Sequence, residues 1–69
     1  MEYLVVIEKE KGSYGAYVPD LPGCVAVARS KPRVRKLIEE AIALHLEDMR
    51  DRGEKIPRPH TSYELVSTN

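Results

Sequence analysis

His45 is the most central of the few residues in this 69-residue chain whose type could carry catalysis. A histidine in the middle of a helix can act as a metal ligand, a general base or a pH switch. No serine, cysteine or aspartate stands at a spacing that would pair with it for nucleophilic catalysis. Asp48 lies three residues further on, close enough on a helix for a hydrogen bond. We therefore predict that His45 is a partly buried core or interface residue.

Acidic side chains are the second candidate for chemistry. Glu39 and Glu40 are adjacent, as are Glu47 and Asp48, so each pair points in two directions on a helix. A two-metal nuclease needs several acidic side chains that converge on one pocket. Glu8 and Glu40 are the only two acidic residues that could begin such a set, and no other residue obviously joins them. We predict a solvated helix face with no catalytic residue, metal or cofactor, and a vestigial metal-dependent nuclease is the alternative.

Basic residues crowd the start of the helix predicted below. The members of this basic cluster are Arg29, Lys31, Arg33, Arg35 and Lys36. Cations there oppose the partial positive charge of a helix N-terminus, although the N–H groups at the same end attract anions. We predict a tolerated solvated cluster, and contact with phosphate or with an acidic partner surface is the alternative. No aromatic residue is interleaved with it, which weakens a single-strand nucleic-acid hypothesis.

Length and composition indicate a single domain over residues 1–69. The 11 basic and 11 acidic residues cancel, so overall charge does not indicate nucleic-acid binding. Cys24 is the only cysteine, which rules out an intrachain disulfide and suits a reducing compartment. No stretch resembles a signal peptide or a membrane span. We predict a cytoplasmic protein that forms a homo-oligomer, because so small a domain gains stability by burying more surface.

The most distinctive local pattern is the string Tyr-Val-Pro-Asp-Leu-Pro-Gly-Cys-Val at residues 17–25. Pro19 and Pro22 each fix a φ angle and remove an N–H donor. Pro22 and Gly23 fit the centre of a type II turn, because glycine accepts a positive φ. Asp20 can accept hydrogen bonds from the N–H groups that follow it and so close the turn. The string predicts a rigid surface feature that is either a recognised shape or a structural staple.

Three strands are predicted around this string. Residues 3–7 are β-branched and nearly all apolar, which indicates a strand covered on both faces. A hairpin loop at residues 9–13 leads to a second strand at residues 14–18. Residues 24–28 form the third strand. Short connections of this kind predict an antiparallel meander.

One long helix follows the three strands. Ser30 is the predicted N-cap, Pro32 lies in the first turn and Gly53 ends a helix that runs over residues 31–52. Its apolar side contains Val34, Leu37, Ile38, Ala41, Ile42, Leu44 and Met49. An extended connector at residues 56–59 then leads to a fourth strand at residues 62–67. The predicted fold is α+β, a β-β-β-α-β antiparallel sheet with one helix on one face.

Several motifs together resemble a known family. They are Tyr-Gly-Ala-Tyr at 14–17, Val-Pro-Asp-Leu-Pro-Gly-Cys at 18–24, Glu-Ala-Ile at 40–42, Leu-His-Leu-Glu at 44–47 and Gly-Glu-Lys-Ile-Pro-Arg-Pro at 53–59. In this order and spacing the chain resembles the HicB-like antitoxin family over nearly its whole length. The resemblance implies a reduced ribonuclease H-like fold and no nuclease activity.

The resemblance also implies a protein partner. Members of the family typically bind a HicA-type toxin, a small ribonuclease with a fold like a double-stranded-RNA-binding domain, and cover its active site and RNA-binding surface. We expect the rigid turn and acidic side chains to make this contact. The candidate residues are Glu8, Asp20, Leu21, Pro22, Gly23, Glu39, Glu40 and Glu47.

The sequence departs from the family pattern in two places. Many members carry a C-terminal DNA-binding domain, and the 69 residues leave no place for one, so direct DNA binding is not expected. Arg29 and Arg33 stand where the family tends to have a polar residue and an acidic first helical turn. This reversed charge leaves two further expectations open, a stand-alone relative with another partner and an anion- or nucleic-acid-binding module that uses the basic cluster.

Overall fold

Three antiparallel strands and one helix make up the regular structure in the computed structural model, which describes residues 1–69. The strands are β1 (Val6–Glu10), β2 (Ser13–Tyr17) and β3 (Val25–Ala28), and the helix is α1 (Lys31–Asp51). The strand order is β1-β2-β3, so β1 and β3 both have a free edge. The predicted α+β class, the meander and the helix on one face are confirmed.

The first strand lies three residues further along the chain than the predicted residues 3–7. A two-residue loop of Lys11 and Gly12 joins β1 to β2, and Gly12 has φ 70°. This turn fixes the register, in which Glu10 is opposite Ser13 and Val6 is opposite Tyr17. The charged residues Glu8, Lys9 and Glu10 therefore belong to the strand, and their side chains are exposed there.

Helix α1 begins and ends close to the predicted residues. The side chain of the N-cap Ser30 accepts a hydrogen bond from the N–H of Arg33 at 3.2 Å. At the other end the N–H of Glu54 donates to the carbonyl of Met49 at 2.9 Å, and Gly53 has φ 71°. Such a left-handed glycine after the last turn is a common helix stop.

The buried core lies between the helix and the inner face of the sheet. Its members are Ala16, Val18, Leu21, Cys24, Val34 and Ile38. Val18, Leu21 and Cys24 come from the string at residues 17–25, called the turn string below. The turn string is therefore part of the hydrophobic core. Leu44 was expected on the apolar face of α1, but its side chain is 67% exposed. It projects about 120° around the helix from Ile38, beyond the stripe that faces the sheet.

Two predictions about the sheet are wrong, that the first strand is covered on both faces and that a fourth strand forms. The outer face of the sheet, opposite α1, has no covering layer, so Val25 and Val27 are exposed. The fourth strand expected at residues 62–67 does not form in the isolated chain, and residues 62–69 are exposed without regular structure. A strand needs a neighbouring edge to satisfy its N–H and C=O groups, and this segment, called the C-terminal tail below, pairs with none.

Candidate functional site

Backbone hydrogen bonds close the turn string at residues 18–24. The N–H of Val18 donates to the carbonyl of Cys24 at 3.2 Å, and the N–H of Cys24 donates to the carbonyl of Leu21 at 3.1 Å. Gly23 has φ 86°, as the second central residue of a type II turn requires. The predicted rigid turn is confirmed, and its tip exposes Pro22 and Gly23.

Asp20 does not close this turn, contrary to the prediction. Its side chain is only 3% exposed and binds the chain beyond the helix instead. One carboxylate oxygen accepts from the N–H of His60 at 2.8 Å and from the N–H of Thr61 at 3.1 Å. The other accepts from the hydroxyl of Thr61 and lies 3.1 Å from Nε2 of His60. Asp20 therefore anchors the C-terminal part of the chain to the turn.

The contacts of Asp20 favour its ionised form. The hydroxyl of Thr61 is the main cause that lowers the pKa of the Asp20 carboxyl. Desolvation opposes this effect, and the N–H groups of His60 and Thr61 lower the pKa further. Three donors satisfy this buried, charged acceptor, so the ionised form of Asp20 supports the anchor.

A second contact fixes the same part of the chain at its other end. The hydroxyl of Tyr3 donates a hydrogen bond to the carbonyl of Pro57. Together with the Asp20 anchor, this bond holds residues 54–61 against the N-terminal segment and the turn. These residues include the predicted connector at 56–59 and are called the connector below. The Pro-x-Pro stretch that resembles the family motif thus has a defined position on the protein surface.

The residues expected to contact a partner lie in three different places. Asp20 and Leu21 are buried inside the chain, so of the four candidates in the turn string only Pro22 and Gly23 are exposed. The acidic candidates on the helix are exposed. Glu8 is on the outer face of the sheet, because its neighbour Ile7 packs against the core on the inner face.

The structure does not bring together the acidic side chains that a two-metal site would need. Glu8 and Glu40 lie on opposite sides of the sheet, and no group of three His, Cys, Asp or Glu side chains is placed to hold a metal ion. Asp48 pairs with Arg52 at 2.7 Å, so its expected contact with His45 is wrong. His45 is half-buried, as predicted.

All five side chains of the basic cluster are exposed, and none forms an ion pair within the chain. The first turn of α1 contains no acidic residue. Arg35 and Lys36 line a shallow depression of about 310 Å³ together with Pro32 and Glu39. The cluster is therefore a patch of unneutralised positive charge.

An apolar groove runs between β1 and the helix. It has a volume of about 520 Å³. Its apolar lining consists of Tyr3, Val5, Ile7, Ile38 and Ile42, and Glu2, Arg35 and Glu39 complete it. The groove exists because α1 packs over β2 and β3 and leaves the inner side of β1 uncovered.

The environment of the single cysteine and the polarity of α1 relate to the predictions of a free thiol and of no membrane span. Burial raises the pKa of the Cys24 thiol, which keeps it protonated and unreactive. Helix α1 is not apolar enough to cross a membrane.

Comparison with known proteins identifies the family. The family model described as "HicB_like antitoxin of bacterial toxin-antitoxin system" matches residues 3–69. This chain belongs to the HicB-like antitoxin family. The predicted resemblance is thereby confirmed, and the turn string, the helix and the connector described above all lie within the matched residues.

Relatives of this HicB-like chain occur in archaea and in a phage. A UPF0150 protein of Thermoplasma acidophilum is 42% identical over 59 residues, which are 84% of this chain and 86% of the relative. A UPF0150 protein of Archaeoglobus fulgidus is 46% identical over 48 residues, 68% of this chain and 70% of the relative. An uncharacterized 14.9 kDa protein of Haemophilus phage HP1 is 34% identical over 67 residues, 97% of this chain and half of the relative. No solved structure matches.

Proposed function

We propose that this protein is an antitoxin that binds a small HicA-type ribonuclease and blocks it sterically. The observation that carries the proposal is the match of the HicB-like antitoxin model to residues 3–69. Occlusion is the mechanism that suits the geometry, because no side chains converge on a catalytic or metal site. Such a protein acts where RNA is translated, so we place it in the cytoplasm.

The outer face of α1 is the surface that fits such a partner best. Glu40 and Glu47 are seven residues apart and therefore lie on one stripe of the helix, with the exposed Leu44 beside them. A ribonuclease that binds RNA presents positive charge around its active site, and acidic side chains complement that charge. An exposed leucine next to them offers apolar area for a central contact.

The other acidic candidates do not share this surface. Glu8 is on the far side of the sheet, and Glu39 lies at the apolar groove. A standard interface buries roughly 800 Å² on each partner, which covers only one side of a domain this small. The exposed turn tip at Pro22 and Gly23 is a second rigid point of contact, because its backbone is already closed by hydrogen bonds.

Charge reversal on the helix tests this proposal. We expect the double variant Glu40→Lys and Glu47→Lys to bind the toxin roughly 100-fold more weakly and to release its ribonuclease activity, because two complementary charges become repulsive. The toxin for the assay is a purified HicA-type ribonuclease. Binding is measured by calorimetry and inhibition by cleavage of a labelled RNA.

The matched control is Glu8→Lys, which makes the same change on the outer face of the sheet. It is expected to leave both binding and inhibition unchanged. If Glu8→Lys abolishes binding while the double helix variant does not, the toxin binds the sheet face and the assignment of the surface is wrong. If the unaltered protein fails to inhibit the toxin, the proposed function itself is wrong.

The unpaired basic cluster favours a second candidate function, binding of nucleic acid or of another polyanion. Five exposed cations without internal partners are available for phosphates. We expect the affinity for a labelled RNA or DNA duplex to fall with salt by about one unit of log slope for each phosphate contact.

The double variant Arg35→Glu and Lys36→Glu is expected to reduce that slope by about two. The control is Arg50→Glu, because Arg50 is an exposed cation at the opposite end of α1. Fluorescence anisotropy at several salt concentrations gives the slopes. Binding that is absent, or that does not depend on salt, contradicts this second function.

A further inference from the structure

The chain exposes more surface than a compact monomer of its size. Its accessible surface is 5805 Å², whereas a chain of 7.8 kDa is expected to expose roughly 4,400 Å². The radius of gyration is 13.6 Å, compared with roughly 11 Å for a typical domain of this length. The excess of roughly 1,400 Å² is larger than the roughly 800 Å² that each partner buries in a standard interface.

The C-terminal tail is an exposed part of this surface. Every residue in 62–69 is exposed, including Tyr63 at 72% and Leu65 at 93%. These two side chains are two positions apart, so in an extended strand they point to the same side. Leaving these two large apolar side chains in water is unfavourable, because their burial would stabilise the protein.

The free edge of β1 and the apolar groove next to it match the tail in chemistry and in length. The backbone groups along the outer edge of β1 pair with no other strand. The groove beside this edge is lined by Ile7, Ile38 and Ile42. Six extended residues span roughly 20 Å, enough to run along β1 and part of the segment before it. A strand added there would place alternate side chains in the groove.

The Asp20 anchor fixes the point from which the tail leaves the body. Thr61 is held by the carboxylate, and Ser62 and Tyr63 lie beside residues 2–4 in a shallow cleft. The tail thus starts next to the segment that precedes β1. From this point it runs into solvent and contributes nothing to the core of its own chain.

We propose that residues 62–67 pair as a β-strand with the free edge of β1 in a second copy of this chain, and that the exchange is reciprocal. Tyr63 and Leu65 of each copy then fill the apolar groove of the other. The exchange satisfies an open strand edge in both copies and buries the tail and the groove together. This inference does not depend on the toxin, and a failed inhibition assay leaves it standing.

The edge of β1 fits this exchange better than the edge of β3. Helix α1 packs closely on β3, so no comparable apolar groove lies beside that strand. The exposed Val25 and Val27 are on the outer face of β3, where a strand added at the edge would not cover them. A two-fold exchange of tails also closes on itself, which produces a dimer instead of an open fibre.

Light scattering on matched variants is the first test. The unaltered protein is expected to have twice the chain mass of 7.8 kDa at micromolar concentration. Leu65→Asp would put a charge into the groove, so we expect it to raise the dimer dissociation constant at least roughly 100-fold. Val66→Asp, which alters the other side of the strand, is expected to remain a dimer. A monomeric parent protein, or equal effects of both variants, overturns the proposal.

A crosslinking experiment identifies the chain that contributes the tail. An affinity-tagged Leu65→Cys protein is mixed with an untagged Ile42→Cys protein and oxidised, while Cys24 stays protected by burial. A disulfide between the tagged and the untagged chain is expected. The double variant Leu65→Cys and Ile42→Cys provides the opposite result, since a disulfide formed within one chain would show that each tail folds back on its own groove. That outcome overturns the exchange.

Discussion

Replacing Leu21 with alanine is expected to unfold a large fraction of this protein at physiological temperature. Leu21 is 1% exposed and belongs to the core, although it lies in a turn. Truncation of a buried leucine costs about 2–5 kcal/mol. A 69-residue domain has a total stability of only about 3–10 kcal/mol. The loss therefore takes most of the free energy that keeps the chain folded.

Urea denaturation followed by circular dichroism measures this effect. The matched control is Leu44→Ala, because Leu44 has the same side chain but is largely exposed on α1. We expect the control to change the free energy of unfolding by less than about 0.5 kcal/mol. If Leu21→Ala is as stable as Leu44→Ala, the turn string is a surface loop that does not support the core, contrary to the structure.

Replacing Asp20 with asparagine is expected to release the connector and to lower the melting temperature by roughly 10 °C or more. The amide keeps the shape of the carboxylate but loses its charge. It also brings N–H donors towards Thr61 and His60, which already donate to Asp20. The control is Asp51→Asn, an exposed aspartate at the end of α1 with no ion pair. Equal melting temperatures for the two variants would contradict the role of Asp20.

The same residue makes stability depend on pH in a defined direction. Because the pKa of Asp20 is lower in the folded protein than in the unfolded chain, its contribution is present above the unfolded pKa, roughly pH 4. It is lost as the pH falls from there through the folded pKa. The unaltered protein is expected to lose more stability than Asp20→Asn between about pH 6 and about pH 3. Parallel curves for the two proteins would contradict the assignment.

The elements that depend on neighbouring residues could be predicted from the sequence. Ser30 and Gly53 specify the ends of α1 through local hydrogen bonds and a local φ angle, and both predictions are confirmed. Pro22 and Gly23 specify their turn in the same way. In each case the information lies within about four residues of the feature.

Features that depend on distant residues could not be predicted. Asp20 reaches its donors across about 40 residues, and no local pattern distinguishes this bond from the turn closure that was expected. The position of β1 is set by the hairpin with β2 and so differs from the apolar run by three residues. The alternation at residues 62–67 predicts an extended segment, but no strand edge in the chain pairs with it and the fourth strand does not form.

The positions of the candidate contact residues show the same limit. Leu21 and Pro22 are adjacent in one turn, and the local pattern does not reveal that Leu21 is buried while Pro22 is exposed at the tip. The charge of the acidic residues does not reveal that Glu8 lies on the outer face of the sheet, away from those on the helix. The partner surface therefore remains a prediction that charge reversal on each face can decide.

The two contacts that hold the connector have a consequence for the order in which the molecule folds and opens. The pairs Tyr3–Pro57 and Asp20–His60 close loops of 54 and 40 residues, whereas the strands and the helix form from near neighbours. Contacts between distant residues form late, after the loop-closure entropy has been overcome. The connector should therefore dock last and detach first, with faster amide exchange at His60 and Thr61 than in the sheet. A protease would reach this part of the chain while the body of the protein stays folded.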